Sequence, residues 1–165
     1  MSSTEPNKYS IEFYPPRTAE GEAKLDMVHA QLAKLNPDFF SVTYGAGGST
    51  RDTTKDIVLD IKANGYEAAP HLSVGGDSPN DVIELVQAYK EAGVNKLVAL
   101  RGDLPSGIGG TKQLVHANEL VALIREHTGD HFEINVAAYP EIHPEAESYS
   151  KDICWLGHKF TAGAD

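Results

Sequence analysis

Cysteine is almost absent from this chain. The single Cys154 has no partner, which excludes an internal disulfide and makes a reducing cytoplasm the expected compartment. Long apolar runs are missing as well: no stretch approaches the ~20 residues that a membrane-spanning helix needs. The polar start, residues 1–8, lacks the apolar core of a signal peptide. Positive charge is scarce, with 14 Lys and Arg against 24 Asp and Glu and a formal net charge of −10. Binding to nucleic acid needs clustered Lys and Arg on one surface, so that class of partner is not expected. An anionic cofactor would have to be held against this field by local groups, such as backbone amides, Arg101 or Lys159.

What is present suits a soluble globular fold: 41% hydrophobic and 23% charged residues is an ordinary balance. Residues 1–165 have one domain's length and are expected to form a single domain with its own core. No low-complexity segment or linker interrupts them.

Apolar runs and helical periodicity alternate throughout. Residues 96–100 form a compact apolar run before Arg101, as a strand buried on both faces should. Strands are predicted near 10–14, 39–44, 67–74, 96–101 and 133–139, and helices near 19–35, 50–64, 79–92, 114–128 and 148–163. Ser78, Pro79 and Asp81 supply an N-cap, a first-turn proline and a capping acid, after which Val82, Leu85, Val86 and Tyr89 follow at helical spacing to Gly93. Ser49 and Asp52 open the preceding helix in the same way, with Ile57, Val58 and Ile61 on its inner face. The result is five β–α units of roughly 30 residues each, the size of βαβ repeats.

Two α/β architectures suit five such units. One is an open doubly wound sheet of flavodoxin type, complete with five strands. The other is a TIM-type (β/α)8 barrel, which needs eight units and about 250 residues. Periodicity alone favours the first. In both, ligands bind at the carboxyl ends of the strands. Three such ends carry polar groups: Glu12 with Tyr14, Thr43 with Tyr44, and Arg101 with Asp103.

Five motifs then shift the balance. Ile11-Glu12-Phe13-Tyr14-Pro15-Pro16, Val42-Thr43-Tyr44-Gly45-Ala46, Pro70-His71-Leu72, Leu100-Arg101-Gly102-Asp103 and Ala138-Tyr139-Pro140-Glu141-Ile142-His143-Pro144-Glu145 occur in one order. In that order and near that spacing they resemble the bacterial-type methylenetetrahydrofolate reductase family, over residues 10–164. The resemblance implies a TIM-type (β/α)8 barrel, with this chain covering about five β–α units as a partial barrel. It also implies FAD as cofactor, NADH or NADPH as reductant, and reduction of 5,10-methylenetetrahydrofolate to 5-methyltetrahydrofolate in one-carbon and methionine metabolism.

Residue by residue, the resemblance implies that Glu12 is the general acid on folate. Thr43 lies near the nicotinamide, with Tyr44 and Ala46 among the cofactor-binding positions, and His71 contacts the flavin. Arg101, Gly102 and Asp103 form a turn that holds flavin, and Asp103 also meets the pterin. Ala117, Tyr139, His143, Ala146, Asp152 and Lys159 match further flavin contacts. Three positions depart from the family pattern: His116 replaces a common tyrosine, and Trp155 and His158 replace an expected asparagine and arginine. The family also continues for three more β–α units. Five strands of eight would leave two unpaired edges that invite association, so a homo-oligomer is expected.

Each of these residues also has a plainer reading. Glu12 is either a solvent-exposed strand residue or an inward carboxyl kept partly protonated by burial. Asp103 either caps a loop or sits as an anion at the flavin's pyrimidine edge, which would favour hydride donation. Arg101 is a salt-bridged or snorkelling residue unless neighbouring Gly102 lets a cofactor approach the backbone. Cys154 reads as a packed, inert thiol beside Trp155. The glycine-rich stretch 106–110 reads as a mobile loop, since it lacks the order of a phosphate cradle. No metal site is expected: His127 and His131 are spaced i, i+4, but Gly129 breaks the helix between them. Two further functions compete with the reductase: a non-catalytic half-barrel that binds flavin or a partner, and an unrelated open α/β enzyme or flavodoxin-like carrier. The second is poor, because Tyr14-Pro15-Pro16-Arg17-Thr18 is no Ser/Thr-rich phosphate loop.

Overall fold

The computed structural model describes residues 8–44, 50–74, 78–101 and 116–165. Along these residues β1 (Ser10–Phe13) leads to α1 (Ala19–Leu32) and a 3-10 turn (Ala33–Leu35), and β2 (Phe39–Val42) to α2 (Arg51–Ala63). β3 (Ala68–Val74) is followed by α3 (Pro79–Glu91), β4 (Lys96–Arg101) by α4 (Ala117–Thr128), and β5 (Glu133–Val136) by α5 (Tyr149–Thr161).

All four strand pairings are parallel, and the sheet runs β1-β2-β3-β4-β5. Each strand lies beside its neighbour in sequence, with no reversal. A flavodoxin-type sheet reverses at a switch point, in the order 2-1-3-4-5, whereas a (β/α)8 barrel adds each strand on the same side. The fold is therefore a partial (β/α) barrel. The open-sheet reading that periodicity favoured is overturned by strand order.

Local chemistry sets the helix starts. Ser78 Oγ accepts from the Asp81 amide while Asp81 Oδ2 accepts from the Ser78 amide at 2.9 Å, the reciprocal capping box predicted for α3. Thr18 caps α1 by accepting from Gly21 N at 3.1 Å, and Ser148 caps α5 by accepting from Lys151 N. For α2 the N-cap position is Thr50; the expected cap Ser49 lies outside the described residues, as does 106–110.

One face of the sheet is packed and the other is open. Phe13, Phe40, Val42, Leu72, Leu97, Ala99 and Ile134 turn toward the helices and are buried. There they meet Val58 and Ile61 of α2, Val82, Leu85, Val86 and Tyr89 of α3, and Leu120, Val121 and Ile124 of α4. Each large aliphatic so buried contributes about 1.5–3 kcal/mol relative to exposure. On β4 the alternate residues Lys96, Val98 and Leu100 are only half-buried, so this strand is not covered on both faces as its apolar run suggested. On that second face Ser41 and His71 are buried toward the middle of the sheet, while Glu12 on β1 is exposed.

Two contacts finish the frame. His29 of α1 sits edge-on to Phe40 and Tyr66, at centroid distances of 4.6 and 5.2 Å, with Phe13 stacked on Phe40 beneath it. At the end of α5, Arg125 donates to the Gly163 carbonyl at 2.8 Å and pairs with Asp165, which accepts from Ile134 N. The segment after α5 is thereby tied to β5.

Candidate active site

The open face forms a basin of about 710 Å³ that touches all five strands. Parallel register brings this about: Glu12 lies beside Ser41, and His71 beside Val98, so residues of one parity from each strand share one face. Glu12, Ser41, Thr43, His71 and Asn135 supply its polar groups, while Val98, Leu100 and Val136 supply apolar wall. A second hollow, about 400 Å³, lies among the helices between α1 and α2, and none of the predicted site residues lines it.

Glu12 and His71 meet across β2, with Glu12 Oε2 3.5 Å from His71 Nε2. The His71 residue is only 6% exposed, and burial holds its imidazole below the usual histidine range, opposed by the Glu12 charge. The Glu12 side chain is 46% exposed. Of the two readings of Glu12, an exposed strand residue or a buried carboxyl, its exposure agrees with the first. The sheet's second face is uncovered here, so the acid points into an open basin and is partnered there by His71.

Thr43 is pinned at the mouth of the basin. Its amide donates to Phe13 O at 3.0 Å, and its carbonyl accepts from Thr54 of α2 at 2.8 Å. Tyr44 follows it on the basin wall. Ala46, Gly102 and Asp103 lie outside the described residues.

The remaining predicted positions gather at the carboxyl end of β4 and β5. Arg101 pairs with Glu145 at 2.6 Å, which holds the Glu145 carboxyl below its ordinary range. The Glu145 amide donates to His143 Nδ1, the His143 amide donates to Asp152 Oδ2, and the Ala146 amide donates to the His143 carbonyl. Tyr139 packs edge-on to His143 with centroids 4.6 Å apart. Lys159 donates to the Ala137 carbonyl at 2.7 Å, beside the basin wall. Its ammonium is pushed below the usual lysine range by desolvation, with Asp152 opposing the shift. Six of the expected cofactor positions, Arg101, Tyr139, His143, Ala146, Asp152 and Lys159, thus join in one bracing network. Ala117 stands apart, buried at the first turn of α4. Beside it the three departing residues meet: His116 stacks on Trp155, which in turn contacts the His158 ring. Cys154 is exposed, with Sγ 3.6 Å from His158 Nε2, so its expected packing is also corrected.

The sequence profile of the methylenetetrahydrofolate reductase family matches residues 1–165. The chain belongs to this family. It is 48% identical over 157 residues to the 5,10-methylenetetrahydrofolate reductase of Pectobacterium carotovorum subsp. carotovorum, covering 94% of this chain and 51% of that protein. To the 5,10-methylenetetrahydrofolate reductase of Escherichia coli (strain K12) it is 45% identical, covering 94% and 52%. The chain therefore spans about half the length of the curated relatives it matches. Among solved structures, a phosphoenolpyruvate phosphomutase from Streptomyces platensis subsp. rosaceus superposes with TM-score 0.58 over 98% of this chain and 58% of that one. At 16% identity that likeness concerns the fold alone.

Within this methylenetetrahydrofolate reductase family member, several basin residues escaped the motif reading. Ser41 and Asn135 line the basin, yet neither stood out in sequence. Their signal was parity: Ser41 lies two residues before Thr43, and Asn135 pairs with Val98 next to His71. Glu145 closed one motif, but its pairing with Arg101, 44 residues away, has no local signature. Among the described residues no three of His, Cys, Asp and Glu are placed to hold a metal ion, and no helix is long and apolar enough to cross a membrane.

Proposed function

We propose that this chain forms part of a flavin-dependent oxidoreductase that uses NADH or NADPH to reduce 5,10-methylenetetrahydrofolate to 5-methyltetrahydrofolate. The observation that carries this reading is Glu12. Its carboxyl opens onto the basin, held by His71, at the strand end where a barrel enzyme keeps its chemistry. The family match over residues 1–165 supports the same activity.

The basin suits FAD. Its volume of about 710 Å³ lies within the range of cofactor pockets, about 300–1,000 Å³. Val98 and Leu100 offer an apolar wall for a flat ring, and Thr43, Tyr44 and His71 line the same hollow. Tyr139, His143, Ala146, Asp152 and Lys159, with Ala117, would hold the rest of the cofactor, and Arg101 and Lys159 supply local positive charge there. Ala46, Gly102 and Asp103 complete the set by resemblance. Bound there, a flavin would supply hydride transfer between the nicotinamide and the one-carbon unit of the folate.

Glu12 supplies the proton. It protonates the folate nitrogen as the C–N bond of the five-membered ring opens, leaving an iminium carbon ready to accept hydride. By resemblance, Asp103 would meet the pterin and disfavour an anionic reduced flavin. The same reading treats residues 1–165 as one partial-barrel catalytic unit of a cytoplasmic homo-oligomer.

Glu12→Gln in the enzyme bearing this sequence tests the proposal. Reduction of flavin by NADH needs no acid at the folate nitrogen, whereas the folate step does. Stopped-flow measurement should show the folate step falling by about 10²–10⁴-fold, with far less change in flavin reduction. Equal loss in both steps would remove Glu12 from the acid's role.

A further inference from the structure

We propose that His71 is the positioning residue of Glu12: its buried imidazole, 3.5 Å from Glu12 Oε2, holds that side of the carboxyl and leaves the other oxygen to face substrate. The proposal rests on the acid role given to Glu12 above and extends it to a second residue.

The geometry has three parts. Glu12 and His71 come from β1 and β3, and their side chains meet above Ser41 of the intervening β2. The pair is asymmetric, with His71 buried and Glu12 nearly half exposed to the basin. Among the described residues its surroundings in the basin carry few charges. From β1 the basin receives Glu12 and, just beyond the strand, Tyr14; from β2 it receives Ser41, Thr43 and Tyr44. β4 contributes Val98 and Leu100, and β5 contributes Asn135. Among the described lining residues there is no Lys or Arg, so His71 is the basic group that faces the Glu12 carboxyl there.

Burial makes the imidazolium the costlier form of His71. When the proton passes to the folate nitrogen, carboxylate and neutral imidazole remain, and the positive charge moves to the substrate. The exposed edge of Glu12 then takes a proton from solvent. A buried imidazole beside Oε2 thus orients the carboxyl with its exposed edge toward the basin.

Proton NMR titration of the His71 ring, in the chain without flavin or folate, tests the pairing directly. Removing an opposite charge at this distance should lower the His71 pKa by about one unit in Glu12→Gln. An unchanged His71 titration would overturn the proposal, whatever the activity shows. In the complete enzyme, His71→Gln should shift the acidic limb of the pH profile of the folate step. A profile that keeps its shape while its height falls would assign His71 to cofactor binding alone and overturn the positioning role. The two readings fail separately. If the His71 shift appears but Glu12→Gln leaves the folate step intact, the pair stands and the acid assignment falls.

Discussion

Lys159 of α5 donates to the carbonyl of Ala137, 22 residues earlier, at 2.7 Å. Ala137 borders the basin, so this bond fastens the last helix to the wall of the candidate active site. It also brings a cation to a chain whose net charge is −10. Lys159→Met should cost about 1 kcal/mol of stability, read as a lower urea midpoint, because one hydrogen bond is lost. FAD uptake, followed by flavin fluorescence, should weaken by more than that stability loss explains. Unchanged FAD affinity would place the cofactor's phosphates elsewhere.

His29 makes stability depend on pH. Burial among Phe13, Phe40 and Tyr66 lowers its pKa from the ordinary value of 6.5, with Asp60 and Asp26 opposing. The unfolded chain therefore binds a proton at higher pH than the folded chain does. This part of the stability is fully present above pH 6.5 and is lost as pH falls through the lowered folded value. His71 contributes with the same sign. Urea unfolding from pH 7.5 down to about 5 should show that decline, and His29→Phe should make it shallower. A decline of unchanged steepness in His29→Phe would assign the proton uptake to other groups.

Gly163 is constrained twice. Its φ is +109°, and a Cβ there would lie 2.8 Å from Arg125 Cγ. Gly163→Ala should lower stability by about 1–3 kcal/mol through backbone strain and displacement of Arg125 from the Gly163 carbonyl and Asp165. Thermal melts of Gly163→Ala, Arg125→Ala and the double variant check this. If both substitutions disturb one contact, the combined loss will be smaller than the sum. Strict additivity would mean that Arg125 does not respond to residue 163.

The Arg101–Glu145 pair predicts a small effect. Both side chains are largely exposed, so Glu145→Gln should change stability by less than about 1 kcal/mol. Its consequence should appear in the 137–148 connection, as faster proteolytic nicking there. Equal protease resistance would show that Asp152 and Lys159 suffice to brace the segment.

The sequence by itself determined where the elements lie. Ser78, Pro79 and Asp81 start α3 by bonds made within four residues, and helical spacing of Val82, Leu85, Val86 and Tyr89 marks its buried face. Such signals are local, so they survive without knowledge of the fold. Glu12, Thr43 and Lys159 drew attention for a related reason, since each sits at or near an element's end and carries polar chemistry there. The five motifs already implied the barrel, and strand order bears it out against the open sheet, which is built from the same β–α period and differs only in which edges pair. Tertiary structure alone decided two things. The exposure of Glu12 depended on whether anything covers the sheet's second face, which no residue near Glu12 encodes. The pairings of Glu12 with His71 and of Arg101 with Glu145 join residues 59 and 44 positions apart. Coulomb attraction acts through space rather than along the chain, so only folding brings such charges within reach.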